Sequence, residues 1–354
     1  MKQSVTTFVA AAALLLAGPL FAQGNRATAQ NVPELPYELV PNFIKLPPDM
    51  QFGEAMGVAV NSKGHVFVYD RGNYTRLTEF DQNGNYVREI GRGLYGFEYA
   101  HDVRVDSEDN IWAVDEGTNM IIKFSPAGKV LMVLGRRPEP IEGMVPTGGR
   151  PNPPDEKYLF RRPTDVAWDA QGNIFVADGY TNHRVVKYDK NGRFLKSIGS
   201  NNPGSGTGQF NLPHGISADA KGNVYVSDRT NNRVVVLDND LNWKTTYNNV
   251  GGSWTTCVSL GPHQYLFSSN SNPNGNAPGT WDYTGEIYKM ELDGTIIGKF
   301  GHAGKLPPGF QVVHGLDCRN PNEVFVSEIE SWRVQKFVLK EPGKPAAANP
   351  TSHR

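Results

Sequence analysis

Short runs that alternate β-branched with aromatic side chains and close on an acid recur along this chain. They read VFVYD (66–70), IWAVD (111–115), IFVAD (174–178), VYVSD (224–228) and VFVSE (324–328). Alternation of this kind predicts strands rather than helices. Each run follows a turn rich in Gly, Asn or Asp, as in SKGH, AQGN and AKGN, residues that favour turn backbones. Ahead of each turn lies another strand signal. Aligned on its first residue, this signal begins MGVAVN at Met56, HDVRVD at His101, TDVAWD at Thr164, HGISAD at His214, SWTTCV at Ser253 and HGLDCR at His314. A third run such as RVVKYD or RVVVLD follows, then a fourth that ends in Ile-Gly, Leu-Gly or Phe-Gly.

Four short strands repeated at a period of roughly forty residues indicate propeller blades. The chain therefore reads as all-β, a six-bladed β-propeller over residues 37–340. The sixth unit ends near Leu339 with three strands, and YELVPNFIKL (Tyr37 to Leu46) is available as its fourth. Pairing the two in one blade would close the ring and cover an exposed edge. The tail from Glu341 (341–354) is expected to be disordered.

The ends and the composition narrow the setting. Lys2 followed by FVAAAALLLAGPL reads as a secretory signal over residues 1–22, with cleavage after Ala22 or as late as Ala29. The apolar stretch is too short for a comfortable membrane span, so a secreted or periplasmic protein is expected. Net charge is −1 and no basic run occurs, which argues against a nucleic-acid partner. A monomer acting on a small molecule or peptide is expected. The two cysteines, Cys257 and Cys318, each stand four positions after the first residue of their unit. Export permits a disulfide, and two small buried apolar residues is the alternative.

Three of the eight histidines, His101, His214 and His314, occupy the first position of alternate units. In a ring of six they stand about a third of a turn apart and can meet on the axis. Three neutral imidazoles with a fourth position open suit a catalytic Zn²⁺, and imidazole also suits other divalent transition metals. Strand capping by repeat-consensus histidines is the alternative. The connectivity of a four-strand meander puts the turn after each second strand on the same face. These turns read Asp70-Arg71-Gly72, Asp178-Gly179-Tyr180 and Asp228-Arg229-Thr230. Arginine forks suit carboxylates, and a phenol near a cation can have its pKa lowered enough to act as a base. Two insertions, 136–160 and 271–285, map to the same face, where long loops commonly carry binding. Ordinary exposed turn residues are the alternative for Arg71, Tyr180 and Arg229.

HDVRVDSEDNIWAVDEG, DGYTNHRVVKYDKNGRFLKSIG and PHGISADAKGNVYVSDRTNNRV resemble NHL-repeat propellers, and among them the peptidyl-α-hydroxyglycine α-amidating lyases. The resemblance covers about residues 37–339. It implies zinc on His101, His214 and His314, Tyr180 as base, and Arg71 and Arg229 on the substrate. The implied reaction is lyase cleavage of a peptidyl-α-hydroxyglycine to a peptide amide and glyoxylate. The chain departs from the family at Val312, where the family has methionine, and at Gly315, where it has a calcium-binding aspartate. Calcium is therefore in doubt, with Asp102 and Asp317 left as carboxylates to contribute. The family's disulfide-bearing turns also lack cysteine here. A metal-dependent lactone or ester hydrolase and a non-catalytic propeller that binds protein or glycan are the competing readings.

Overall fold

The computed structural model describes residues 31–137, 157–271 and 285–340. The signal-like segment 1–22, the middles of the two long loops and the tail 341–354 lie outside the described residues. Six four-stranded antiparallel sheets form the six blades, each a meander of consecutive strands except the last. That blade takes Tyr37–Val40 onto the outer edge of Arg333–Leu339, pairing Tyr37 with Leu339 and Val40 with Lys336. The expected closure is present, although the strand ends at Val40. Lys45 instead bridges to Asn85 in the first blade. Among the described residues the helical content is a single 3₁₀ turn, Arg229–Asn231. Among the described residues no helix is long and apolar enough to cross a membrane.

The core lies between neighbouring blades. Phe175, Ala177 and Val185 of the third blade pack against Ile216, Val226 and Val235 of the fourth. Inner strands alternate accordingly. Val103 and Val105 enter the inter-blade core, while Asp102 and Arg104 turn to the ring axis, where Arg104 meets Asp165. This is the two-residue period of a pleated strand.

The acid that ends each second strand is structural. It accepts a backbone N–H from the residue seventeen positions earlier, in the loop leading to the inner strand. The pairs are Gly53 to Asp70, Glu98 to Asp115, Arg161 to Asp178, Asn211 to Asp228 and Gln311 to Glu328, at 2.7–3.1 Å. Four of the five also pair with an arginine that follows, namely Arg76, Arg184, Arg233 and Arg333. These bonds fix each loop against its own second strand and so hold the loop-bearing face in place. In the fifth blade Asn270 does this through Gly252.

The cysteines are joined. Cys257 and Cys318 form a disulfide between the inner strands of blades five and six, with Cα atoms 5.9 Å apart.

Candidate active site

A β-bulge aims each histidine. The pairing of the first two strands slips between Ala100 and Asp102, between Pro213 and Ile216, and between Val313 and Gly315. Each slip falls at a histidine. Without it, His101 would point the same way as Val103 and Val105, into the core. The extra residue rotates the side chain, and the three rings meet with centroids 4.7, 4.7 and 4.9 Å apart. All three are buried.

The blades between them supply the second half of the device. His101 Nδ1 lies 2.6 Å from the Thr164 carbonyl, His214 Nδ1 2.7 Å from that of Trp254, and His314 Nδ1 2.7 Å from that of Met56. A carbonyl only accepts, so Nδ1 carries the proton and each Nε2 keeps its lone pair. Odd-numbered blades thus set the tautomer of histidines in even-numbered ones. The acceptor in blade five is Trp254, one residue later than the sequence alignment placed it. Cys257 therefore stands three positions after its unit's start and Cys318 four.

Gly315 follows from the same contact. A Cβ there would meet Ser327 Oγ at 2.6 Å and the Met56 carbonyl at 3.0 Å, the carbonyl that holds His314. A side chain at this position would push away the group that orients the ligand.

Burial holds all three imidazoles neutral. It takes His101 and His214 well below the usual histidine range, with the neighbouring imidazoles and the arginine charges adding to it. His314 is brought down to about 3. The three histidines are the one group of metal-binding side chains brought together among the described residues, with donor atoms within 4.8 Å of one another. His314 Nε2 is buried and has no hydrogen-bond partner. Three neutral, converging nitrogens, one of them unsatisfied, fit a bound transition-metal ion.

The described residues 160–188 and 210–237 match the NHL repeat family, and these spans hold Tyr180, His214 and Arg229. The chain thus carries NHL repeats in two blades of its six-bladed propeller. It is 28% identical to a probable peptidyl-alpha-hydroxyglycine alpha-amidating lyase of Caenorhabditis elegans over 174 residues, 43% of this chain and 45% of that one. It is 29% identical over 218 residues to peptidyl-alpha-hydroxyglycine alpha-amidating lyase 1 of Drosophila melanogaster, 50% of this chain and 38% of that one. The matched segment thus spans less than half the length of these relatives. Among solved structures, a gluconolactonase from Xanthomonas campestris superposes with a TM-score of 0.58 at 15% identity, covering 87% of this chain and 98% of that one. At that identity the likeness concerns the fold.

The NHL propeller brings its three sequence-predicted polar residues to the triad. The Tyr180 hydroxyl lies 3.3 Å from His101 Nε2 and 3.5 Å from His214 Nε2. Arg229 stacks on Trp254, 3.3 Å from the ring centroid, and Trp254 in turn packs on His214 and His314. Arg71 stacks on Tyr99 at 3.7 Å and pairs with Glu54 at 2.5 Å. The expected lowering of the Tyr180 pKa is not what the protein alone produces. Burial raises it, and the charges of Arg229 and Arg71 only oppose that rise.

Glu116 went unrecognised in the sequence. It is buried, 3.6 Å from His101 Nε2, and paired with Arg162 at 2.5 Å. Arg162 in turn lies over the Tyr180 ring, 4.6 Å from its centroid. The signal was present, because Glu116 stands fifteen residues after His101, the offset of Arg71 from Met56 and of Arg229 from His214.

Calcium does not fit the carboxylates proposed for it. Below the triad the Arg104 guanidinium grips Asp165 through two bonds of 2.8 and 2.6 Å. It also lies 3.4 Å from Asp102 and donates to the Leu316 carbonyl. Asp317 is turned to the backbone amides of Val60 and Arg319. A resident side-chain cation already answers the axial carboxylates, and their negative charge holds Arg104 firmly protonated.

Proposed function

We propose that this propeller is an exported, metal-dependent carbon–nitrogen lyase that cleaves an N-acyl α-hydroxyglycine to an amide and glyoxylate. The observation that carries the reading is the convergence of three imidazole Nε2 atoms with the Tyr180 hydroxyl, all inside a cup walled by Arg71 and Arg229. His101, His214 and His314 would hold the ion. When bound, Zn²⁺ or another divalent transition metal supplies Lewis-acid polarisation of a substrate oxygen.

The chain's own residues account for binding and proton movement. Arg71 and Arg229 bind the substrate carboxylate, and their stacking on Tyr99 and Trp254 fixes the guanidinium planes before substrate arrives. A cation held by the three imidazoles beside the phenol would oppose the rise that burial causes, and Tyr180 as phenolate would then accept the proton of the α-hydroxyl. The electron pair of that O–H becomes the new C=O of glyoxylate, the C–N bond breaks, and the departing amide nitrogen takes up one proton. Glu116 holds Arg162 over Tyr180, which adds a cation beside the phenol. An N-terminal export signal and a disulfide that persists in an oxidising compartment support a secreted or periplasmic setting.

The test is glyoxylate release from a peptidyl-α-hydroxyglycine by metal-loaded protein, with Tyr180→Phe as control. Release that falls at least a hundredfold in the variant is expected. No release by protein with a full complement of metal would reject this substrate and leave the hydrolase reading. Substoichiometric metal in native protein, with His214→Ala changing neither metal content nor stability, would favour a non-catalytic binding scaffold.

A further inference from the structure

A cavity of 1220 Å³ begins at Arg71, Glu54 and Tyr99 and runs outward across blade one to Tyr74, Arg92 and Trp332. Small-molecule sites occupy about 300–1,000 Å³, so this groove is larger than a single acylated hydroxyglycine requires. Three large aromatic side chains that stay exposed in the free protein line it: Tyr74 at 46%, Tyr99 at 42% and Trp332 at 59%.

Trp332 is held there against its backbone preference. In blades two, three, four and six the residue just before the third strand has a positive φ: Asn119 (58°), His183 (44°), Asn232 (52°) and Trp332 (50°). Asparagine accepts this left-handed conformation readily, and histidine is also enriched in it. A bulky aromatic there is an outlier. Its ring gains no burial in return, since more than half of it faces solvent. Strain kept at an exposed position marks a surface shaped for a ligand.

The geometry points to a subsite for the peptide that precedes the reacting residue: a chain of several residues with apolar or aromatic side chains, lying from Arg71 across Tyr99 and Tyr74 to Trp332. This inference rests on the lyase reading for its ligand class and adds to it the residues outside the reaction cup, Tyr74, Tyr99 and Trp332, that set preference for length and for apolar side chains. Tyr99 belongs to both halves, because one face carries Arg71 of the reaction cup and the residue also lines the groove. The polar partners along the walls, Glu54, Glu89, Glu98 and Arg92, suit a peptide backbone with its alternating donors and acceptors.

Two unreactive ligands test it without turnover. Ala-Phe-Ala-Phe-Gly and acetylglycine share a terminal carboxylate and differ in length. In the metal-loaded protein the pentapeptide should bind at least tenfold more tightly by calorimetry. Trp332→Asn and Tyr74→Ala should each erase most of that difference, roughly tenfold for the tryptophan. Trp332→Asn should at the same time raise Tm by about 2 °C, because asparagine relieves the backbone. Equal affinity for the two ligands, or a length preference that survives both substitutions, would overturn the subsite. The two readings fail differently. If glyoxylate is released yet length has no effect, the groove is wrong and the lyase stands. If length matters and no glyoxylate appears, the groove stands and the reaction is wrong.

Discussion

Two tiers lie on the axis of this ring, built by the same inner strands and treated in opposite ways. At the upper tier three imidazoles point their Nε2 atoms inward, and one of those atoms has no partner. At the lower tier a single guanidinium meets Asp102, Asp165, the Leu316 carbonyl and the Thr255 hydroxyl. The lower tier completes itself with the protein's own cation, and the upper one waits for a cation from outside. Polar groups on a shared axis can therefore be structural or functional, and counting their remaining bonds tells which.

The largest effect should come from breaking the lower tier. Arg104→Met leaves buried carboxylates unpaired and should cost about 3–5 kcal/mol in urea unfolding. Arg104→Lys should recover only part of this, since one ammonium cannot reproduce the two-pronged grip on Asp165. A loss under about 0.5 kcal/mol would show that the plug is dispensable. Next is the disulfide beside it. Replacing both Cys257 and Cys318 by alanine should cost about 2–4 kcal/mol, read from the same unfolding curves, and should leave metal content unchanged. Metal content that falls in step with stability would mean the tiers are coupled.

The upper tier should respond to metal instead. Chelation of loaded protein should lower stability by about 2–3 kcal/mol when free metal had stood near a hundred times its Kd. His214→Ala should abolish that response. A chelator effect that persists in the variant would place the ion elsewhere. The smallest effect is in pH. Burial holds the folded pKa of His314 below its unfolded value, so above about pH 6.5 both states are neutral and nothing is gained or lost. Below it the unfolded chain takes up a proton that the folded one refuses, and stability falls. Between pH 8 and pH 6 the metal-free His314→Gln variant should lose about 1 kcal/mol less than the unsubstituted protein. Parallel curves would show that His314 is free to protonate in the fold.

Much of this was legible in the sequence, and the failures have physical causes. The second strands stood out because both faces of each blade are buried by neighbours, which makes runs such as IFVAD apolar up to the closing acid. The histidine position was visible because the residue type recurs at the same place in units two, four and six, although the bulge itself is shared with Met56 of unit one. Unit five misled by one residue, since it lacks the acid that follows this position by fourteen residues in the other five units. Its hairpin after Val258 is also longer, running to Leu266. Arg104 read as one more polar residue of an alternating strand. Only ring closure, which brings Asp165 from the next blade, gives it a role. Glu116 was overlooked because its importance lies in contacts with His101 and Arg162, which are far from it in sequence or unremarkable in type. The Tyr180 pKa needed burial to be known, and burial wins over the three nearby cations Arg229, Arg71 and Arg162.

The pairing of Tyr37–Val40 with Arg333–Leu339 has a consequence for biogenesis. The strand synthesised first finds its partner only when the strand synthesised last has emerged. Until then one segment has no place to dock and the nascent sixth sheet keeps a raw edge. A chain that stalls before Arg333 therefore cannot shut the circle, and maturation should register as a single late event that couples the first and last strands of the propeller.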